Sequence, residues 1–478
     1  MKIAFVQETV NQNVGLMYLS AILKSKNHQC ELFVEPLEKS FLDAVISYKP
    51  DIVGFSVITG AHHWALNTAE RIKSLMPKAV IIFGGPHPTY FSEIINRPSV
   101  DAIARGEAEL SLLEFVHRLE NGKSCANVFG FFVKERGTVY RNEIAPLVED
   151  ISSLPFPDHK LYLKYKFYQE QTEVPFSTTR GCPYNCSFCY NHVKAQFYKG
   201  KGKYLRIRNI ESVISEMELA RKLYSRMRSV ILYDDIIGIN KKWLADFSEA
   251  YAKRVGFPWF TSIRVDLINE FMAEQLAKAN CFCLSIGVET GDEDLRQKVL
   301  GKRISNDQYI KAARILRRAG IKIRTSNMLF LPGEDFQKAL KTVDINREMK
   351  VDFAWAYTLQ PYPGTDIYDY AVKTGYLSAS FQFDDIDPLG LLKPIIAVKD
   401  KNKMLVLHRL FHLSVHSGIV RRFIKVLVLF PPNLLFDLLY SFSLIYSYAE
   451  YHQVGLSRAI SVAWNNYWSA KRKEGNKK

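Results

Sequence analysis

The sequence is poor in the marks of a secreted, fibrous or membrane-spanning protein. Its opening, MKIAFVQETV, has no charged stretch followed by the apolar run that a secretory signal needs. Seven cysteines are an odd number, with three between positions 182 and 189 and Cys30, Cys125, Cys281 and Cys283 scattered, so they do not form a disulfide framework. Together these absences predict a reducing, cytoplasmic setting. The longest apolar stretch, Val426 to Tyr448, is interrupted by Pro431, Pro432 and Asp437, which makes it a poor spanning helix. No repeat or low-complexity segment stands out through the first 375 residues. With 47% hydrophobic and 24% charged residues, the composition is that of an ordinary folded protein, and 478 residues exceed the usual single core.

A net charge of +15 leaves nucleic acid, an anionic membrane and an acidic ligand open as partners. Its distribution is more informative. Residues 401–478 hold twelve Lys or Arg against three Asp or Glu, a balance of +9, so the basic excess sits mainly in the tail. From about 376 the texture becomes helical and apolar.

Residues 1–145 alternate apolar runs (KIAFV, CELFV, DIVGFSVITG, AVIIFGG) with helical stretches, which predicts a doubly wound α/β domain on a parallel sheet. Such sheets bind ligands at the carboxyl ends of their strands. Ser56 and Thr59 lie at one such end, Gly84, Gly85, Pro86 and His87 at the next, and Gly106 and Glu107 at a third. The proline-bearing stretch 146–160 reads as a linker. Beyond it, six further strand and helix units predict an open, partial (β/α)6 barrel, short of the eight units of a closed one. The expected domains are 1–145, 146–375 including the linker, and a mainly helical region 376–478.

The chemistry is concentrated in GCPYNCSFCYN. Cys182, Cys186 and Cys189 have C-x3-C-x2-C spacing, which offers three thiolates to three corners of a four-iron, four-sulfur (4Fe-4S) cluster and leaves one iron free to be chelated by a small ligand. Structural zinc wants four ligands, commonly in separated pairs, and no second such pair is present. Cys281 and Cys283 lie inside the apolar run CFCLSIGV and read as buried small residues.

This motif is the signature of the radical S-adenosylmethionine (radical SAM) superfamily, which the chain resembles over about residues 174–368. The resemblance implies that Phe188 packs near the adenine of S-adenosylmethionine. It also implies that Asp234 and Asp235 of LYDD receive the methionine amino group, and that Arg264 and Glu289 contact its carboxylate and ribose. Each polar residue has a plainer reading: Asp235 or Asp234 as a helix cap, Arg264 as a surface partner of Asp266, Glu289 as the cap of the next helix. MLFLPGE and QPYPGTDIY are similar to strings of the cobalamin-dependent branch. GFSVITG and FGGPHPTYF resemble the cobalamin-binding domain of that branch, with Ser56, Thr59, Gly84 and Gly85 as the binding candidates. The D-x-H-x-x-G motif is absent, since His62, His63 and His87 all lack the preceding Asp, so cobalamin is expected without a protein histidine on cobalt.

The cofactors implied are a 4Fe-4S cluster, S-adenosylmethionine and cobalamin. The reaction implied is methylation of an unactivated carbon of a small or lipid-like metabolite. Radical ring closure or another carbon-skeleton change, and a non-catalytic cobalamin or iron-sulfur sensor, are the alternatives. An external electron donor such as a flavodoxin or ferredoxin is expected, and no nucleic acid. The apolar run flanked by Arg421, Arg422 and Lys425, extended by Trp464, Tyr467, Trp468, Lys471, Arg472 and Lys473, has the pattern of short helices lying at the inner face of a membrane. Packing over the open side of the barrel is the competing reading. The Pro431 and Pro432 pair predicts two helices in place of one.

Overall fold

A computed structural model describes residues 1–378, 380–381, 386 and 394–463. The tail residues Trp464, Tyr467, Trp468, Lys471, Arg472 and Lys473 lie outside the described residues. The chain forms two compact units, Met1–Thr172 with Lys194–Met227, and Glu173–Val193 with Arg228–Ser461.

The first unit is built on a seven-stranded sheet of β1 (Lys2–Gln7), β2 (Gln29–Val34), β3 (Ile52–Ser56), β4 (Val80–Gly84), β5 (Ala102–Ala104), β6 (Phe131–Glu135) and β7 (Thr138–Arg141), in the order 2-1-3-4-5-6-7. β1 to β5 pair in parallel, as the alternating pattern predicts. β6 and β7 are antiparallel, an addition to the predicted parallel sheet. The reason is local: Arg136 and Gly137 both have positive φ, +50° and +79°, the two-residue turn that folds FFVKE back onto TVYR. Alternate residues of β1 enter opposite cores, which makes the sheet doubly wound. Ile3 and Phe5 join Leu23 and Val116 on one face, while Ala4 and Val6 join Ala69 and Ile72 on the other. After β7, Tyr162, Tyr165 and Tyr168 fasten the chain to this sheet, their hydroxyls donating to Gln7 Oε1 (2.8 Å), Leu32 O (3.1 Å) and Val10 O (3.0 Å).

The second unit carries six parallel strands, β8 (Glu173–Phe176), β9 (Ser229–Leu232), β10 (Trp259–Ile263), β11 (Cys281–Glu289), β12 (Lys322–Leu329) and β13 (Phe353–Thr358), hydrogen-bonded in chain order. This is the predicted open barrel of six. Its helices are started by local caps. Asn240, Asn269 and Asp335 each accept a hydrogen bond from the first turn, and Ser305 with Gln308 forms a capping box.

The described part of the C-terminal region is helical, and Pro431 and Pro432 separate helix Gly418–Leu427 from helix Leu434–Tyr451, as predicted. No described helix is long and apolar enough to cross a membrane. The last helix packs on the barrel through one side. The Tyr451 ring lies 4.8 Å from Phe260 and 5.8 Å from Phe353, the Trp355 indole N–H donates to Ser447 Oγ at 2.6 Å, and His452 meets Glu173 at 2.7 Å. These partners belong to the early residues of β8, β10 and β13, so this contact lies toward the end of the barrel opposite the carboxyl ends of its strands.

Gly291 marks the tightest backbone approach, since a Cβ there would stand 2.1 Å from the Lys341 carbonyl oxygen in helix Phe336–Met349. Gly291→Ala is therefore expected to lower the unfolding free energy by about 1–3 kcal/mol through overpacking. Urea unfolding with an unchanged slope and a lower midpoint would show it; an unchanged midpoint would contradict the packing described.

Candidate functional site

The cysteine loop leaves the barrel just after β8. Asp234, at the end of β9, accepts hydrogen bonds at Oδ1 from the backbone N–H groups of Thr178 (2.6 Å) and Thr179 (2.8 Å), and at Oδ2 from the Thr178 hydroxyl (2.5 Å). Burial pushes its carboxyl up to about 6 even so. Asp235 ties the two ends of the loop together: it accepts from Gly181 N (2.7 Å) before Cys182 and from Asn191 Nδ2 (2.8 Å) after Cys189. Gly181, at φ +87°, supplies the left-handed turn into the loop. The middle of the loop is held from the other side, where Ser187 donates through its N–H to Leu300 O (3.1 Å) and through its hydroxyl to Val299 O (2.7 Å).

Within this frame Cys182, Cys186 and Cys189 are half-buried and unpaired. Burial raises all three thiols, Cys189 to about 11. Two cations oppose that effect at Cys186. The Arg264 guanidinium lies 3.7 Å from the Tyr184 ring centre with Nη1 3.6 Å from Cys186 Sγ, and Lys302 favours the Cys186 thiolate through its charge. Arg264 also makes the plainer contact, a two-point ion pair with Asp266 at 3.0 and 2.9 Å. Lys302 is buried and paired with Glu289 at 3.2 Å, and it donates to Gly287 O, which Tyr309 also engages at 2.8 Å. Phe188 packs into an apolar cluster with Leu295, Leu300 and Leu331.

The two capping readings do not hold. Asn240 caps helix Lys241–Arg254 and Asp292 caps helix Glu293–Lys298, so Asp235 and Glu289 are left for other work. Cys281 and Cys283 are buried in β11, where loss of solvation raises both thiols strongly. Among the described residues no three His, Cys, Asp or Glu side chains converge as ligands of one metal ion would. A donor set of three unpaired thiols on one loop, with two cations beside it, fits a polynuclear, anionic group better than a single ion.

In the first unit, the strand order reverses between β1 and β3, the position where open α/β sheets bind ligands. Ser56 stands there, its hydroxyl accepting from Asn13 Nδ2 at 2.8 Å, while Asn13 Oδ1 caps helix Val14–Lys24. Thr59 is buried against His87, Oγ1 to Nδ1 3.1 Å, and the His87 ring stacks on His62 at 4.3 Å. Gly84 O accepts from Val57 N at 2.8 Å. Gly85, at φ +95°, brings the chain so close that a Cβ would meet Val57 N and O at 3.0 Å. Ser56, Thr59, Gly84 and Gly85 therefore share one strand-end edge made by β3 and β4. Small hydroxyls and glycine backbone at that edge fit a broad cofactor with a phosphate-bearing tail.

Residues 3–116 match the B12 binding domain, and residues 176–345 match the radical SAM superfamily. The chain thus carries a B12 binding domain followed by a radical SAM domain, the arrangement of the cobalamin-dependent radical SAM enzymes. It is 29% identical over 397 residues to an uncharacterized methyltransferase of Pyrococcus horikoshii, covering 80% of this chain and 84% of that one. It is 28% identical over 371 residues to the anaerobic magnesium-protoporphyrin IX monomethyl ester cyclase of Rubrivivax gelatinosus, covering 73% of this chain and 64% of that one. The cobalamin-dependent S-adenosylmethionine radical enzyme OxsB, solved with aqua-cobalamin and S-adenosylmethionine bound, shares its fold with a TM-score of 0.71 at 17% identity, over 99% of this chain and 80% of that one. The radical SAM and B12 binding domains imply a 4Fe-4S cluster, S-adenosylmethionine and cobalamin as cofactors, and radical SAM enzymes need a reductant.

The residues that sequence reasoning did not single out are Asn13, Tyr184 and Lys302. Lys302 in particular follows a glycine in VLGKR and has no spacing relation to the cysteines. Lys302→Met would leave the Glu289 carboxylate buried without its partner, and about 3 kcal/mol of stability should be lost. Adding Glu289→Gln should restore much of it in a double-mutant cycle followed by urea unfolding. Strictly additive losses would show that the pair is not coupled.

Proposed function

We propose that this enzyme methylates an unactivated carbon of a small or lipid-like metabolite. The observation that carries the reading is the cysteine loop beside Arg264 and Lys302, in a chain that also holds a B12 binding domain. The methyltransferase relative supports methyl transfer as the outcome. A second reading, radical ring closure, is supported by the cyclase relative. When bound, the cluster supplies an electron for cleavage of S-adenosylmethionine, and cobalamin supplies a methyl group on cobalt.

In this reading Cys182, Cys186 and Cys189 hold three irons of the cluster. Asp234 Oδ2 carries one hydrogen bond, from the Thr178 hydroxyl, and so keeps a lone pair to receive the amino group of S-adenosylmethionine. Arg264, already fixed by Asp266 and Tyr184, reaches its carboxylate. Glu289 Oε1 is held by Lys302, and its carboxylate would accept hydrogen bonds from the ribose hydroxyls. Phe188 forms an apolar wall for the adenine. On the other unit, Ser56, Thr59, Gly84 and Gly85 line the cobalamin site. Thr59 engages His87 Nδ1 and the Gly60 N–H donates to His62 Nδ1, and neither histidine stands in a D-x-H-x-x-G motif, which supports a cobalt without a protein histidine. An external one-electron donor such as a flavodoxin or ferredoxin supplies the reductant, and the unpaired cysteines suit a cytoplasmic setting.

With anaerobically reconstituted enzyme, S-adenosylmethionine and a reductant, Cys182→Ala, Cys186→Ala and Cys189→Ala should each reduce 5′-deoxyadenosine to background and lose bound iron. Cys281→Ala and Cys283→Ala should keep both. Turnover that survives Cys186→Ala would overturn the ligand assignment. The cobalamin reading has a separate check in the electron paramagnetic resonance of the Co(II) form, which should lack histidine nitrogen splitting; a clear histidine signal would contradict it. Methyl-labelled S-adenosylmethionine given to the enzyme with a cell extract distinguishes the two outcomes, since methylation carries label into product and ring closure does not.

A further inference from the structure

Large apolar side chains exposed to water are normally scattered singly over a protein surface. Here they are not. Twelve of the twenty-one among the described residues fall between Ile419 and Ile460, and the other nine are spread from Ile58 to Tyr370. On helix Gly418–Leu427 the exposed set is Ile419, Phe423 and Val426, spaced by four and three, which is one helical face. On helix Leu434–Tyr451 it is Leu434, Leu435, Leu438, Phe442 and Tyr446, of which Leu434, Leu438, Phe442 and Tyr446 are successively four apart on one face, with Leu434 74% and Phe442 65% exposed. The turn between them continues the surface with Leu429 at 71%.

These helices are not short of internal packing. Ile424, Phe436, Ser443 and Ser447 are buried on their inner sides, and Arg421 clamps helix Gly418–Leu427 to Asp344 through two bonds of 2.7 Å. Each helix therefore has an anchored side and a second, solvent-facing apolar side that the fold does not require.

We propose that this outer face docks the enzyme on an anionic lipid bilayer, with both helices lying in the interface. The charges select the occupant. Asp437 is the only charged residue between Val426 and Tyr448, and Arg409 pairs with it at 2.8 Å, so the apolar stretch carries no unbalanced charge. At its amino-terminal border Arg422 and Lys425 are exposed and, among the described residues, have no ion-pair partner. Residues 401–478 carry +9 by sequence. A second copy of the chain would bring the same positive charge to the face, whereas a bilayer containing acidic lipid brings the opposite one. Since no described helix is long and apolar enough to cross, the helices lie on the bilayer. Docking is measured without turnover, so its failure and failure of the methylation reading are separate results.

The test is flotation of the full-length, reconstituted enzyme with vesicles of phosphatidylcholine alone or mixed with phosphatidylglycerol. The enzyme should float with the mixed vesicles at low salt and much less with phosphatidylcholine alone or at high salt. Leu438→Asp combined with Phe442→Asp should lower the bound fraction at least about tenfold, and Arg422→Glu with Lys425→Glu should abolish the preference for the acidic lipid. 5′-Deoxyadenosine formation retained by each variant shows that it is folded. Three results would each overturn the proposal: no flotation with either vesicle, flotation indifferent to the aspartates, or a dimer in sedimentation that the aspartates dissociate while vesicles are ignored.

Discussion

Asp235 sets the shape on which the catalytic unit depends, because one carboxylate receives hydrogen bonds from Gly181 and Asn191, on the two sides of the cysteine loop. A loop of this length pays conformational entropy to bring its ends together, and a charge-assisted clamp offsets that cost locally. Neighbouring Asp234 does the same for the segment from Ser177 to Thr179. The adjacent acidic residues at the end of β9 thus organise the backbone on which the three thiols are displayed. Ser187, bound to Val299 and Leu300, fixes the opposite side.

The electrostatics follow from that geometry. Half-burying three thiols makes each thiolate more costly, and Arg264 and Lys302, from outside the loop, oppose that effect at Cys186. Lys302 is itself held by Glu289, and Arg264 by Asp266, so each positive charge is fixed by a carboxylate before any cofactor arrives. Preorganised charge of this kind does not have to reorient when an anionic group binds. The same economy of local fixing holds in the first unit, where Asn13 caps a helix with one side-chain atom and binds Ser56 with the other.

Much of this was legible in the sequence, for reasons that differ by element. The period of apolar residues revealed the parallel strands of both units, because a strand buried on two faces must be continuously apolar. C-x3-C-x2-C pointed to the cluster chemistry because spacing within one loop survives in one dimension. The prolines at 431 and 432 announced a break that the two helices show. The hairpin of β6 and β7 was not read, although Arg136 and Gly137 form a two-residue turn, because its strands are short and follow a helical stretch. Lys302 and the Asp235 clamp were invisible as such. Asp235 meets residues 44 and 54 positions away, and Lys302 reaches Glu289 across 13, with no period to betray them. The capping alternatives for Asp235 and Glu289 fell away for a related reason, since Asn240 and Asp292 stand a few residues beyond them and cap those helices.

The central claim is that three cysteines of one loop hold a four-iron cluster whose remaining iron is open to S-adenosylmethionine. Mössbauer spectroscopy of the enzyme reconstituted with iron-57 addresses it directly, before and after addition of S-adenosylmethionine. The account predicts one 4Fe-4S cluster per chain in which a single iron changes its parameters when S-adenosylmethionine is added, while the other three do not. Spectra in which all four irons remain equivalent and unchanged, or in which no such cluster forms, would contradict it.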